Sequence, residues 1–176
     1  MNREQLEHVI RAAGTIADDT EIIVIGSQAL LGQFPDAPED LCRSMEADVW
    51  PKNRPERWEL IDGSIGELSP FHETFGYYAQ GVGPETAVLP AGWERRLVTI
   101  DTPRTRGVVG RCLEVHDLVI SKLVAGREKD LEFVRAVVAH ELVDRATLED
   151  RLAVTDIQDE RRRLVAGRIR RLFARE

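Results

Sequence analysis

Glu21-Ile22-Ile23-Val24-Ile25-Gly26-Ser27 is the stretch on which the fold turns. Four β-branched residues in succession, with polar residues ahead and a glycine behind, predict a short strand buried on both faces. Ser27 then caps a short helix over residues 28–33, stopped by Phe34-Pro35. Upstream, Leu6, Val9, Ile10, Ala13 and Ile16 recur at helical spacing among Arg3, Glu4, Glu7 and Arg11, so residues 2–17 read as an amphipathic helix. Downstream, residues 35–43 are a polar, Pro-containing loop and residues 45–50 a second strand, halted by Pro51. Pro55 opens a helix over 56–68. Strands are expected at 75–82, 86–89, 95–100 and 111–115, and helices at 117–124, 127–140, 146–152 and 156–173. The pattern is α+β: a small mixed β-sheet flanked by helices, with a core over residues 1–142 and a helical C-terminal part over 143–176.

The 176 residues suit one domain, or a core with a small appendage. No apolar run approaches the ~18–20 residues that cross a bilayer, and residues 1–6 lack the apolar stretch of a signal peptide, so a cytoplasmic protein without membrane contact is expected. Two cysteines seventy positions apart make no metal-binding spacing, and the four histidines form no HxxxH or HExxH pair. A formal charge of −7 excludes a protein that holds nucleic acid by bulk electrostatics alone. Against that balance, residues 157–176 carry seven arginines and three acids, a local basic run that is usually a solvated helix face.

The chemistry concentrates in two strands. In Ser44-Met45-Glu46-Ala47-Asp48-Val49-Trp50, residues two apart share a face, so Glu46 and Asp48 project side by side. Two such carboxylates suit magnesium, a hard cation that completes its shell with water and substrate phosphates. Gly26 lets the backbone approach a phosphate closely, and Ser27 offers a hydroxyl beside the amides of the following helix.

A strand ending in Gly-Ser, followed by a strand of the form Ser-x-Glu-hydrophobic-Asp-hydrophobic, resembles the signature of the nucleotidyltransferase superfamily, in particular the minimal bacterial branch related to AbiEii-type toxins of toxin–antitoxin systems. The segment Val115 to Asp130 is similar to that family's later motif, in which a helical lysine is followed by an arginine and an aspartate. The resemblance implies Gly26 and Ser27 as the phosphate-binding turn and Glu46 and Asp48 as metal ligands. It implies Lys122 and Arg127 as triphosphate contacts and Asp130 as a late acidic residue, so that Glu46, Asp48, Lys122 and Asp130 form the catalytic set. Many members add a carboxylate from a later strand, for which Asp101 is the candidate third metal ligand. The implied reaction is nucleotidyl transfer from a nucleoside triphosphate, with magnesium or manganese, to a hydroxyl of RNA or protein, with a cognate antitoxin as partner. Glu46 stands where the family more often has aspartate. That motivates the alternative of a degenerate, partner-binding member, and a phosphotransferase on the same fold is a further one.

Overall fold

The computed structural model describes residues 1–174, so Arg175 and Glu176 of the basic run lie outside the described residues. The chain divides into two compact units, one formed by residues 1–86 with 97–114, the other by residues 87–96 with 115 onward. The boundary expected between residues 142 and 143 falls inside the second unit.

In the first unit, helix α1 (Arg3–Ala17) starts on a capping box: the Asn2 side chain accepts from the Gln5 amide, and the Gln5 side chain accepts from the Asn2 amide. Its apolar stripe, Leu6, Val9, Ile10, Ala13 and Ala17, is fully buried, and each of the larger aliphatic side chains contributes about 1.5–3 kcal/mol. The chain then turns at Asp18, in the left-handed region with φ 52°. Strand β1 (Glu21–Ile25) follows, leading through a 3-10 turn (Ser27–Ala29) into α2 (Leu30–Gln33). Next come β2 (Glu46–Pro51), α3 (Trp58–Ile65), α4 (Pro70–Phe75), β3 (Tyr78–Gly81), β4 (Val98–Ile100) and β5 (Val109–Cys112).

The five strands form one mixed sheet in the order β3-β2-β1-β5-β4. Strand β1 pairs antiparallel with β2 and parallel with β5, and both of its faces are covered: Ile22 to Ile25 are all at most 4% exposed. At the start of β1 the buried Asp19 carboxylate accepts hydrogen bonds from the amides of Glu21, Asn53 and Arg54 and from the Asn53 side chain, at 2.7 to 3.1 Å. It ties the α1–β1 link to the segment after β2.

Several expectations shift. The helix read over 56–68 ends at Ile65, and a separate α4 begins where the Ser69 side chain accepts from the His72 amide and Pro70 takes the first helical position. Gly76, at φ 74°, closes α4, so the strand starts only at Tyr78. No strand forms at 86–89. Pro84–Thr86 is a 3-10 turn instead.

The second unit is helical: α5 (Val115–Ala125), α6 (Glu128–Ala139), α7 (Arg145–Ala153) and α8 (Asp159–Leu172). Leu118, Leu123, Val134, Val137, Leu148, Val165 and Ile169 fill its core. Asp117, fully buried in the first turn of α5, accepts from Arg96 Nε at 2.7 Å and Nη2 at 3.1 Å, with Arg151 Nε also 3.1 Å away. Much of the basic run is occupied by backbone carbonyls. Arg161 and Arg168 donate to the carbonyls of Val124 and Leu123 at the end of α5, and Arg162 donates to those of Leu152 and Thr155. No helix among the described residues is long and apolar enough to cross a membrane.

Candidate active site

The turn after β1 is built for close approach. Gly26 has φ 71° and ψ −178°, a region that is essentially glycine-only. A Cβ at this position would lie 2.0 Å from Asp48 Oδ2. The glycine therefore does two things: it permits the turn, and it leaves the hollow into which the Asp48 carboxylate settles. Antiparallel pairing of Ile25 with Asp48 brings the two together. Ser27 follows, its Oγ accepting a long hydrogen bond of 3.4 Å from Gln28 Nε2, which leaves the hydroxyl proton to donate elsewhere. Gln28 is 1% exposed and its Oε1 has no hydrogen-bond partner.

Glu46 and Asp48 lie half-exposed on one face of β2, with Ala47 and Val49 buried on the other. The parallel pairing of β2 with β3 sets Tyr78 beside Glu46 and Gln80 beside Asp48. Tyr78 Oη donates to Glu46 Oε2 at 3.0 Å. Burial, that hydrogen bond and the nearby charges of Glu46, Glu67 and Asp48 push the phenol up to about 12, so it stays protonated and remains a donor. Glu46 and Asp48 are hard oxygen donors on one face of β2, the ligand type a divalent cation prefers, and the Asp48 carboxylate lies in the space that a side chain at Gly26 would fill. Among the described residues no group of three His, Cys, Asp or Glu side chains is arranged to hold a metal.

Asp101 is not brought to this pair. Ile100 pairs with Gly110, and Gly110 with Ile22, so Asp101 leaves β4 at the level of Glu21, the opposite end of β1 from Asp48. That is about 13 Å along the strands, plus three strand spacings, about 14 Å, across the sheet. By the same register Glu114, two residues beyond Cys112, leaves β5 at the level of Gly26. Neither Glu114 nor Tyr78 nor Gln80 was marked by local sequence, because their placement depends on which distant strands pair.

The second unit holds the other group. Asp130 is fully buried and accepts from Lys122 Nζ at 3.0 Å and from Arg127 Nε at 2.7 Å and Nη2 at 3.3 Å. Burial would raise its carboxyl, but the hydrogen bonds and charges of Arg127 and Lys122 outweigh that and hold it below the usual carboxylate range. Two cations on one anion leave one positive charge in excess. The Lys122 side chain is 15% exposed and that of Arg127 61%, so the arginine is the more open of the two.

A family model described as "Nucleotidyltransferase of unknown function (DUF6036)" matches residues 4–169. The chain belongs to this family. The match spans both units and takes in every residue named above as part of a site. No curated protein and no solved structure matched the chain. Membership of a nucleotidyltransferase family agrees with the resemblance carried by the Gly-Ser turn and the Glu-x-Asp strand, and it implies a nucleotide substrate.

Proposed function

We propose that the chain transfers a nucleoside monophosphate from a nucleoside triphosphate to an acceptor hydroxyl, releasing pyrophosphate. The observation that carries this reading is the seating of the Asp48 carboxylate in the hollow over Gly26, which joins the anion-binding turn and the carboxylate pair in one place. The backbone at Gly26 and the Ser27 hydroxyl take the β- and γ-phosphates. Glu46 and Asp48 would hold magnesium, or manganese in its place, which when bound neutralises charge on the phosphoryl oxygens and orients the α-phosphate. Tyr78 keeps the Glu46 carboxylate in position by its hydrogen bond. The resemblance assigns triphosphate contact to Lys122 and Arg127, and Asp130 is the anion that fixes both. The resemblance to the AbiEii-type branch supports a growth-arresting role relieved by a cognate antitoxin.

The test is incubation with magnesium, each nucleoside triphosphate labelled at the α- or the γ-phosphate, and total cellular RNA or protein, beside Asp48→Ala. Label from the α-phosphate on an acceptor, lost in Asp48→Ala, is the expected result. Transfer of the γ-label would make the chain a phosphotransferase, and absence of both label and metal-dependent nucleotide binding would refute the reading in favour of a partner-binding member.

A further inference from the structure

An α-helix leaves the carbonyls of its last turn without partners inside the helix, and at the end of α5 these groups are met from α8. The Lys122 carbonyl accepts from the Gly126 amide at 2.9 Å. The carbonyl of Leu123 accepts from Arg168 Nη1 at 2.6 Å, and that of Val124 from Arg161 Nη2 at 2.9 Å. Arg161 and Arg168 stand about two turns apart and so share one face of α8, and both bring a cation to a helix C-terminus, where the dipole favours it. Gly126 completes the seat. It has φ 67°, and a Cβ there would lie 2.8 Å from Arg168 Nη2 and 2.9 Å from Cζ, so the guanidinium occupies the space that a side chain would take.

The seat lies within the Lys122–Arg127–Asp130 cluster. Only Gly126 and Arg127 separate α5 from α6. Lys122 belongs to the last turn of α5, Arg127 is the N-cap of α6, and Asp130, in the first turn of α6, accepts from both. Asp130 thus ties the two cations to each other, and the arginines of α8 tie the turn that carries them to the rest of the unit. Arg162, on the same helix, does something else: it donates to the carbonyls of Leu152 and Thr155, at the end of α7 and just beyond it.

We propose that Arg168, aided by Arg161, is a positioning residue for nucleotide binding: seated over Gly126, it fixes the α5–α6 turn so that Lys122 and Arg127 meet the β- and γ-phosphates together. This role rests on the nucleotidyl transfer proposed above and on triphosphate contact by those two cations. It gives the basic run of α8 a task, the selection of a nucleoside triphosphate over the corresponding monophosphate, because only the triphosphate carries the groups that Lys122 and Arg127 meet. Arg168 acts through the turn, so its effect shrinks once a cation that it aims has been removed.

Calorimetry tests this by measuring, with magnesium, the binding of each ribonucleoside triphosphate and its monophosphate to the full chain and to Arg168→Met, Arg168→Lys, Arg127→Met, Arg162→Met and the double variant Arg168→Met with Arg127→Met. Arg168→Met should weaken triphosphate binding roughly tenfold, the scale of one hydrogen bond to a charged group, and leave monophosphate binding unchanged. Arg168→Lys keeps a donor for the Leu123 carbonyl and should restore part of the loss; if Arg168→Met does not fold, the lysine variant carries the comparison. The double variant should lose less than the two single losses multiplied together. Arg162→Met takes an arginine of α8 from other carbonyls, so it should lower the melting temperature and leave the ratio of the two affinities as it was. Equal losses for triphosphate and monophosphate, a ratio in Arg168→Met no different from that in Arg162→Met, or losses that multiply in the double variant would overturn the proposal. Triphosphate binding untouched in Arg127→Met would overturn it by removing its premise, while α-label on an acceptor, lost in Asp48→Ala, would leave nucleotidyl transfer standing. No nucleotide binding to the unsubstituted chain would overturn both.

Discussion

Replacing Gly26 by alanine isolates what the turn contributes. The backbone at φ 71°, ψ −178° costs a residue with a Cβ about 1–3 kcal/mol. The added methyl would stand 2.0 Å from Asp48 Oδ2, and ordinary contact begins at 3.4 Å, so either the carboxylate or the turn must yield by more than an ångström. The strain cost alone lowers the melting temperature by roughly 2–12 °C. Under the proposed reaction the displacement of Asp48 Oδ2 is the larger functional effect, because a shift of about 1 Å in a reacting group can cost on the order of 100-fold in rate. Gly107→Ala provides the comparison: Gly107 also has a positive φ, 85°, but nothing lies within 4 Å of the position of its Cβ. Thermal unfolding, manganese binding followed by electron paramagnetic resonance, and nucleotidyl transfer would be measured on both variants. The expected result is destabilisation in both, larger in Gly26→Ala because of the clash, with manganese affinity and transfer reduced only in Gly26→Ala. Unchanged manganese affinity in Gly26→Ala would refute the argument that the hollow over Gly26 seats Asp48 for metal binding.

Asp130→Asn leaves the part-buried Lys122 without its counter-charge, and breaking such a pair costs about 3 kcal/mol or more, seen as a melting temperature lower by roughly 6–12 °C. Because the folded carboxyl lies below its unfolded value, this contribution is complete above pH ~4 and is lost as the pH falls further, so the gap between Asp130→Asn and the unsubstituted protein should close in acid; a gap that persists there would count against it. The chain has two tyrosines, so in Tyr77→Phe the phenolate absorbance reports Tyr78 alone. Its midpoint should stand near 12 and fall when Glu46→Gln is added, and the stability it contributes, full below pH ~10, should be lost as the pH rises toward that midpoint. A midpoint near 10 would show that the hydrogen bond to Glu46 does not hold in solution.

What could be read in advance was whatever depended on neighbours along the chain. The aliphatic run of β1 announced a strand covered on both sides, and the two-residue period of β2 put Glu46 and Asp48 on one face before any pairing was known. Pairing between distant strands was the missing information. Asp101 ends a strand, as a third carboxylate should, yet β4 lies three strands from β2 and delivers it to the wrong end of the sheet. Tyr78 looked like an ordinary strand residue, and only the parallel register of β3 against β2 sets it on Glu46. Lys122, Arg127 and Asp130 were singled out by resemblance, but their mutual hydrogen bonds could not be read, because the turn at Gly126 between α5 and α6 folds Asp130 back onto Lys122.

Strand β3 is four residues long and forms one margin of the sheet, whereas β1, which leads into the Gly-Ser turn, is laced to neighbours on both sides. A margin can be lengthened, shortened or re-decorated by insertion and deletion without unlacing the middle. Changes at β3 and α4 are therefore expected to alter what meets the exposed face of Glu46 and Asp48 while the hydrogen-bond ladder that holds β1 stays intact.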